Sequence, residues 1–209
     1  MTTAIYATEQ DFRSYIKDDT SLDAAMIGAC LLSASRSVEG FCGRHFYQHV
    51  DTQYFSPDEN NWWILPLDDM DLATTDGLTV TSEYGSAGNY PTAWTLDTDF
   101  ICEPVNQSMN GIEGWPFTHL RALGGKIWPP RAADFWRDTV KVVGTWGWPT
   151  VPDAVKQATL ILAVDLYKLS DAPFGVAGYG AYGAVRVRDN PKAAVLLQPY
   201  RKGPSLLFA

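Results

Sequence analysis

The residues of this chain with the chemistry to bind metals or catalyse are few, and their spacing argues against both. His45 and His49 stand four apart, as the two ligands of a metalloprotease helix do, but without the carboxylate that belongs between them. They also follow Gly43, where a helix is expected to end, and His119 is remote from them. Asp68, Asp69 and Asp71, with Asp76 before Gly77, suggest a calcium loop. Counted from Asp69 or Asp71, however, the run lacks the acidic twelfth ligand, so a solvated loop is expected. Gly178, Gly180 and Gly183 satisfy G-x-G-x-x-G literally, yet they follow a helical stretch and precede a basic extended one. A dinucleotide site needs that loop between a strand and a helix, so a connector is expected instead.

Cys30, Cys42 and Cys102 form no C-x-x-C pair and sit in no recognisable nucleophile context, and there is no G-x-S-x-G elbow. Three reduced, buried thiols are expected, with no cofactor, no metal and no enzymatic activity. Trp62, Trp63, Trp94, Trp115 and Trp128 allow a different class of function, since exposed aromatic platforms bind sugars. The competing role for such residues is to fill a thin β core and subunit interfaces.

The elements that must position these residues change along the chain. Thr8 and Asp11 precede Phe12, Tyr15 and Ile16, which predicts a short helix over about 8–17 with acid in its first turn. Leu22, Met26, Ala29, Cys30, Val38 and Phe41 recur at helical spacing between a cap candidate at Ser21 and Gly43. From about 46 to 146 the sequence turns to short runs rich in Tyr, Trp, Thr, Val and Ile, broken by Pro, Gly, Asn and Asp. Strands are expected near 53–55, 62–67, 78–82, 93–95, 100–102, 120–123 and 139–145. After the stiff turn Trp146-Gly147-Trp148-Pro149, a helix over about 152–169 places Val155, Ala158, Leu162, Leu166 and Leu169 on one face, with Thr159 off it. The expected fold class is α+β: a small helical bundle, N-terminal helices plus a long C-terminal one, with an inserted antiparallel β domain and an extended C-terminal tail. The expected segments are 1–46, 47–146, 147–170 and 171–209.

With 209 residues, 46% of them hydrophobic, the chain can bury one core and a satellite. No apolar run approaches the roughly 20 residues of a membrane span, and the first residues lack the pattern of a secretion signal, so no membrane partner is expected. The formal charge of -8 removes the attraction to phosphate that sequence-independent DNA binding requires. Against this acidity, the last residues combine basic side chains with an apolar end, in the manner of a docking element.

Three phrases of the helical segments occur in a suggestive order: Phe41-Cys42-Gly43-Arg44-His45-Phe46, then Trp-Gly-Trp-Pro, then Val-Pro-x-x-Val-Lys-x-Ala. They resemble the head-to-tail adaptor (connector) family of long-tailed bacteriophages. The stretches 172–178, 183–188 and 198–201 look like the versions from phages of actinobacteria. The insertion, about 47–141, carries no matching motif. The resemblance implies a structural virion protein of the neck, made in the host bacterial cytoplasm. It further implies a dodecameric ring of copies beneath the portal protein that joins capsid to tail and forms part of the channel. Its partners would be the portal, the next neck protein and passing double-stranded DNA held without specific binding. A tail-completion or stopper protein is the neighbouring alternative, and a Trp-rich glycan-binding module the distant one.

On this reading Arg186, Arg188, Tyr200, Arg201 and Lys202 are candidates to pair with the portal, while Leu206, Leu207 and Phe208 fill apolar pockets on it. Asp68, Asp69 and Asp71 are candidates to face the channel. Cys42, Gly43, Arg44 and Phe46, with Trp146 and Trp148, are expected to be structural: Arg44 reaching the last carbonyls of its helix, Phe46 folding back on the core.

Overall fold

The structure, a computed structural model, describes residues 4–17, 22–67, 72–85, 88–109, 111–131, 138–171 and 190–202. It divides into two units, residues 1–46 with 151–209, and residues 47–150.

The helical unit begins with α1 (Glu9–Ile16), closed at its N-terminus by a reciprocal capping box: Thr8 Oγ1 accepts the Asp11 N–H, and Asp11 Oδ2 accepts the Thr8 N–H. The next helix, α2 (Ala24–Cys42), is capped by Asp23, whose Oδ1 accepts the Ala25 N–H at 2.9 Å. Ser21, the cap expected from sequence, lies outside the described residues. α2 ends at Gly43 with φ +66°, its N–H bonded to the Glu39 carbonyl, as a left-handed terminus requires. α3 (Asp153–Asp171) and α4 (Pro191–Leu197) complete the unit, followed by a 3-10 turn, Gln198–Tyr200.

α3 packs on α2, α4 and α1, so its buried surface is wider than one stripe. Val155, Ala158 and Leu162 are buried as their spacing predicts. Thr159, expected off that face, is also fully buried, and its Oγ1 returns a hydrogen bond to the Val155 carbonyl. Leu169, expected on it, is 56% exposed. The tail expected to be extended is helical in its described part: Asn190 caps α4 by accepting the Ala193 N–H, Pro191 starts the first turn, and Ala193, Leu197 and Tyr200 are buried.

The β unit contains β1 (His49–Phe55), β2 (Ile64–Pro66), β3 (Leu72–Ser82), β4 (Thr92–Trp94), β5 (Phe100–Glu103), β6 (Ser108–Met109), β7 (Ile112–Glu113), β8 (His119–Ala122) and β9 (Val140–Trp146). They form a four-stranded sheet in the order β1-β9-β3-β4, a three-stranded sheet β2-β8-β5 and the hairpin β6-β7, each pairing antiparallel. Along β9 burial alternates: Val140, Val142, Gly144 and Trp146 point inward, Lys141, Val143 and Thr145 outward. A single buried cluster joins Phe55, Val80, Val142 and Trp146 of the larger sheet to Leu65, Phe100 and Leu120 of the smaller, with Trp128 among them. Between β3 and β4 the buried Glu83 carboxylate accepts the Gly88 and Asn89 N–H groups, which fixes where β4 begins.

Candidate functional site

The residues singled out at the end of α2 meet the described part of the C-terminal segment. The Lys202 N–H donates to the Cys42 carbonyl at 2.8 Å, filling an acceptor that the helix end leaves open. Phe46 is fully buried, its ring edge-on to Tyr6 and to Tyr200 at centroid distances of 5.7 and 6.1 Å. Arg201 places its guanidinium 5.6 Å from the Phe41 ring centroid. Lys202 is therefore held at a fixed point beside the α2 terminus. Burial raises the Cys42 thiol to about 12, against the opposing charges of Arg44 and Arg201, so it is no thiolate nucleophile.

Beneath this contact is a polar cluster that no spacing in the sequence announces. The Tyr6 hydroxyl donates to Glu39 Oε1 and accepts the Phe46 N–H at 3.0 Å. Arg36 lies 2.8 Å from the same carboxylate, and His45 Nδ1 is 3.6 Å from its other oxygen. Burial raises the Glu39 pKa, but the hydrogen bonds from His45 and Tyr6 and the Arg36 charge outweigh it, and the carboxyl titrates below its ordinary range. Burial and the Glu39 bond push the Tyr6 hydroxyl the other way, upward. The cluster ties residues 4–7 to the last turn of α2, since Arg36 also donates to the Ala4 carbonyl.

Of the portal-docking candidates, then, Tyr200 belongs to the core of the helical unit, with only 7% of its surface exposed. Arg201 is exposed and Lys202 partly so. Arg186, Arg188, Leu206, Leu207 and Phe208 lie outside the described residues, as do Asp68, Asp69 and Asp71 and the glycine-rich connector. Trp146 and Trp148 belong to the other unit, where both are buried and Trp148 packs edge-on against Trp115 at 4.8 Å. Gly147 between them has φ +103°, and its Cα passes so close to Tyr47 that a Cβ would sit 1.9 Å from that carbonyl oxygen.

The aromatic residues that could have made a sugar platform are mostly spent on packing. Trp115 and Trp128 are buried, Trp94 stacks on Trp128 at 4.0 Å, and only Trp62 and Trp63 of the five are exposed. The polar cluster on the smaller sheet is a salt bridge in kind: Arg121 donates to both oxygens of Glu103 at 2.9 Å, and His119 Nε2 lies 2.5 Å from one of them. The Arg121 bond, opposed by burial and aided by His119, holds Glu103 below its ordinary range. An open groove of about 410 Å³ in the helical unit is lined by Tyr15, Ile161, Val164, Asp165, Lys168 and the start of α4, with Asn190 donating to Asp165. Its charges are mixed, Asp165 against Lys168 and Lys192. Among the described residues no group of three or more His, Cys, Asp or Glu is placed to hold a metal ion, and no helix is long and apolar enough to cross a membrane. Cys30, Cys42 and Cys102 are all buried.

The same fold occurs in chains of solved gene transfer agent particles. A chain in the neck of an empty particle, computed with C6 symmetry, matches with a TM-score of 0.55 at 15% identity, over 99% of this chain and 95% of that one. One in the neck of a native particle, computed with C12 symmetry, gives 0.52 at 17% identity over 95% and 90%. A third, in the virion of the native particle, gives 0.57 at 16% identity over 99% and 96%. At such identities the likeness is one of fold. No protein-family model and no curated protein matches the sequence.

Proposed function

We propose that this chain is a structural protein of the neck of a tailed, phage-like particle: a head-to-tail adaptor whose copies form a ring beneath the portal and join the capsid to the tail. The observation that carries the reading is the extent of the structural likeness, which takes in 99% of this chain and 95% of a neck chain, helical frame and β unit alike. The order of the phrases at 41–46, 146–149 and 151–158 supports the same assignment independently of the fold.

The parts then have distinct tasks. The helical unit is a rigid mount, and its C-terminal segment, fixed at Lys202 by the Cys42 carbonyl, delivers the apolar residues Leu206, Leu207 and Phe208 to the portal. Arg186, Arg188 and Arg201 supply positive charge to acidic portal residues, a pairing that governs the rate and orientation of docking. An overall charge of -8 keeps passing DNA from adhering to the ring, and Asp68, Asp69 and Asp71 add to that repulsion.

Capture on the purified portal ring of the same particle tests the proposal. The full chain is expected to bind, while a chain ending at Lys202, which retains every described core residue, and the double variant Arg186→Glu, Arg188→Glu bind at least about tenfold more weakly. Failure of the full chain to bind removes the adaptor assignment. Undiminished binding by both variants removes the tail from the mechanism and leaves the assignment in place.

A further inference from the structure

The four-stranded sheet has two open edges among the described residues. β1 pairs with β9 alone and β4 with β3 alone. Long, uncharged edges invite pairing with another chain, and proteins that stay single block them with charge, proline or a cover. β1 runs seven residues without proline, and its only carboxylate is Asp51. On its outward face Val50 and Tyr54 are 76% and 48% exposed.

The register shows how far that uncharged character extends. One row across the sheet reads Tyr54, Lys141, Thr81, Ala93, and the next reads Thr52, Val143, Thr79. Lys141 is the single charge among these seven side chains. β4 offers Thr92 and Ala93, both exposed and uncharged, on the opposite edge, and is held to three residues by Pro91.

Strand direction selects the occupant. Three successive antiparallel pairings separate β1 from β4, so the two edges run in opposite directions. Rotation about a ring axis leaves each strand's direction along that axis unchanged. The β1 of one copy therefore meets the β4 of the next antiparallel, which continues the alternation of the sheet, and head-to-tail contacts of this kind close into rings. We infer that β1 of each copy pairs with β4 of its neighbour, so that the four-stranded sheets join edge to edge around the ring. The inference rests on the ring reading proposed above and names the surface that builds it.

Asp51 supplies the control. Its Oδ1 accepts the Thr52 N–H and its Oδ2 the Gln53 side-chain amide, both at 2.7 Å, so in the single chain one edge donor is already occupied. Pairing displaces that carboxylate, which holds free copies apart until assembly concentrates them.

The test uses the full chain with Thr52→Cys and Ala93→Cys in separate preparations, against a background of three buried native thiols, and a short bis-maleimide that tolerates a register shift. Under conditions where sedimentation shows oligomers, the mixture is expected to give cross-linked dimers and the double variant a ladder, with neither single variant linking to itself. Val50→Cys replaces Thr52→Cys if the latter misfolds. Asp51→Ala is expected to bring oligomers on at about tenfold lower concentration. Oligomers without the mixed cross-link, or Thr52→Cys linking to itself, overturn the edge pairing. Portal capture without the ladder overturns it and leaves the adaptor reading standing; the ladder without portal capture does the reverse; a chain that neither forms the ladder nor binds the portal overturns both.

Discussion

A methyl group on residue 147 would place its carbon 1.9 Å from the Tyr47 carbonyl oxygen, at a backbone φ of +103° that side chains other than glycine rarely adopt. Both the clash and the strain disappear only if the chain entering the β unit separates from the chain leaving it. Gly147→Ala is therefore expected to cost about 3 kcal/mol or more in denaturant unfolding. Gly77→Ala, at φ +72° with nothing within 4 Å of the added carbon, should cost only about 1 kcal/mol, the conformational part alone. Equal losses would mean that the close approach to Tyr47 carries no weight. The Glu39 cluster makes a prediction in pH. Its folded carboxyl titrates below the unfolded value of about 4.3, so its contribution is complete above that value and is lost as the pH falls through the folded one. Glu39→Gln is expected to lose about 1–3 kcal/mol at neutral pH, with the gap to the wild type closing as the pH drops below about 4. A gap that stays constant down to acid pH would show that the charge of Glu39 contributes nothing.

Elements were legible wherever a local signal fixed them. Periodicity marked α2, and Gly43 ended it, because a left-handed terminus needs glycine whatever surrounds it. The face was harder to read. Met26, expected inward, is 39% exposed, while Ile27, Leu31, Ala34 and Ser35 are buried. Small residues at helical spacing fit two adjacent stripes equally, and the choice is made by α3, far along the chain. The Glu39 cluster was invisible for the same reason: its members come from residues 6, 36, 39 and 45 and meet only on folding. In the C-terminal segment the signal was present but outweighed, since Asn190-Pro191 is a helix start, yet the basic and apolar residues around it suggested an extended tail. That difference has an experimental consequence. A chain ending at Ala184 loses Ala193, Leu197 and Tyr200 from the core of the helical unit, and is expected to lose about 3 kcal/mol or more of stability, whereas one ending at Lys202 keeps its wild-type midpoint. Equal midpoints for the two would mean that α4 contributes nothing to the unit it packs on.

At the scale of the molecule, the β unit is built as an insertion that closes on itself. Its first and last strands are partners, with His49 opposite Trp146. Just outside them the Gln48 side-chain amide donates to the Pro149 carbonyl at 2.8 Å. The buried cluster from Phe55 to Trp146 draws every member from within residues 47–150. Among the described residues nothing in that core is supplied by the helices, so the fragment 47–150 is expected to fold alone and to unfold in one cooperative transition, followed by tryptophan fluorescence. The chain with Phe46 joined to Val151 through a short glycine-serine linker is expected to keep its helical circular dichroism. A fragment that stays unfolded would show that the β unit depends on the helical frame. Independence would explain why two of the three recognisable phrases fall in the helical unit and the third, at 146–149, only where the chain leaves the β unit: a frame whose two chain ends return to one place can carry β units of divergent sequence. In the proposed neck, each unit then makes its own kind of contact, the helical frame through its tail to the portal and the β sheet through its edges to the neighbouring copy.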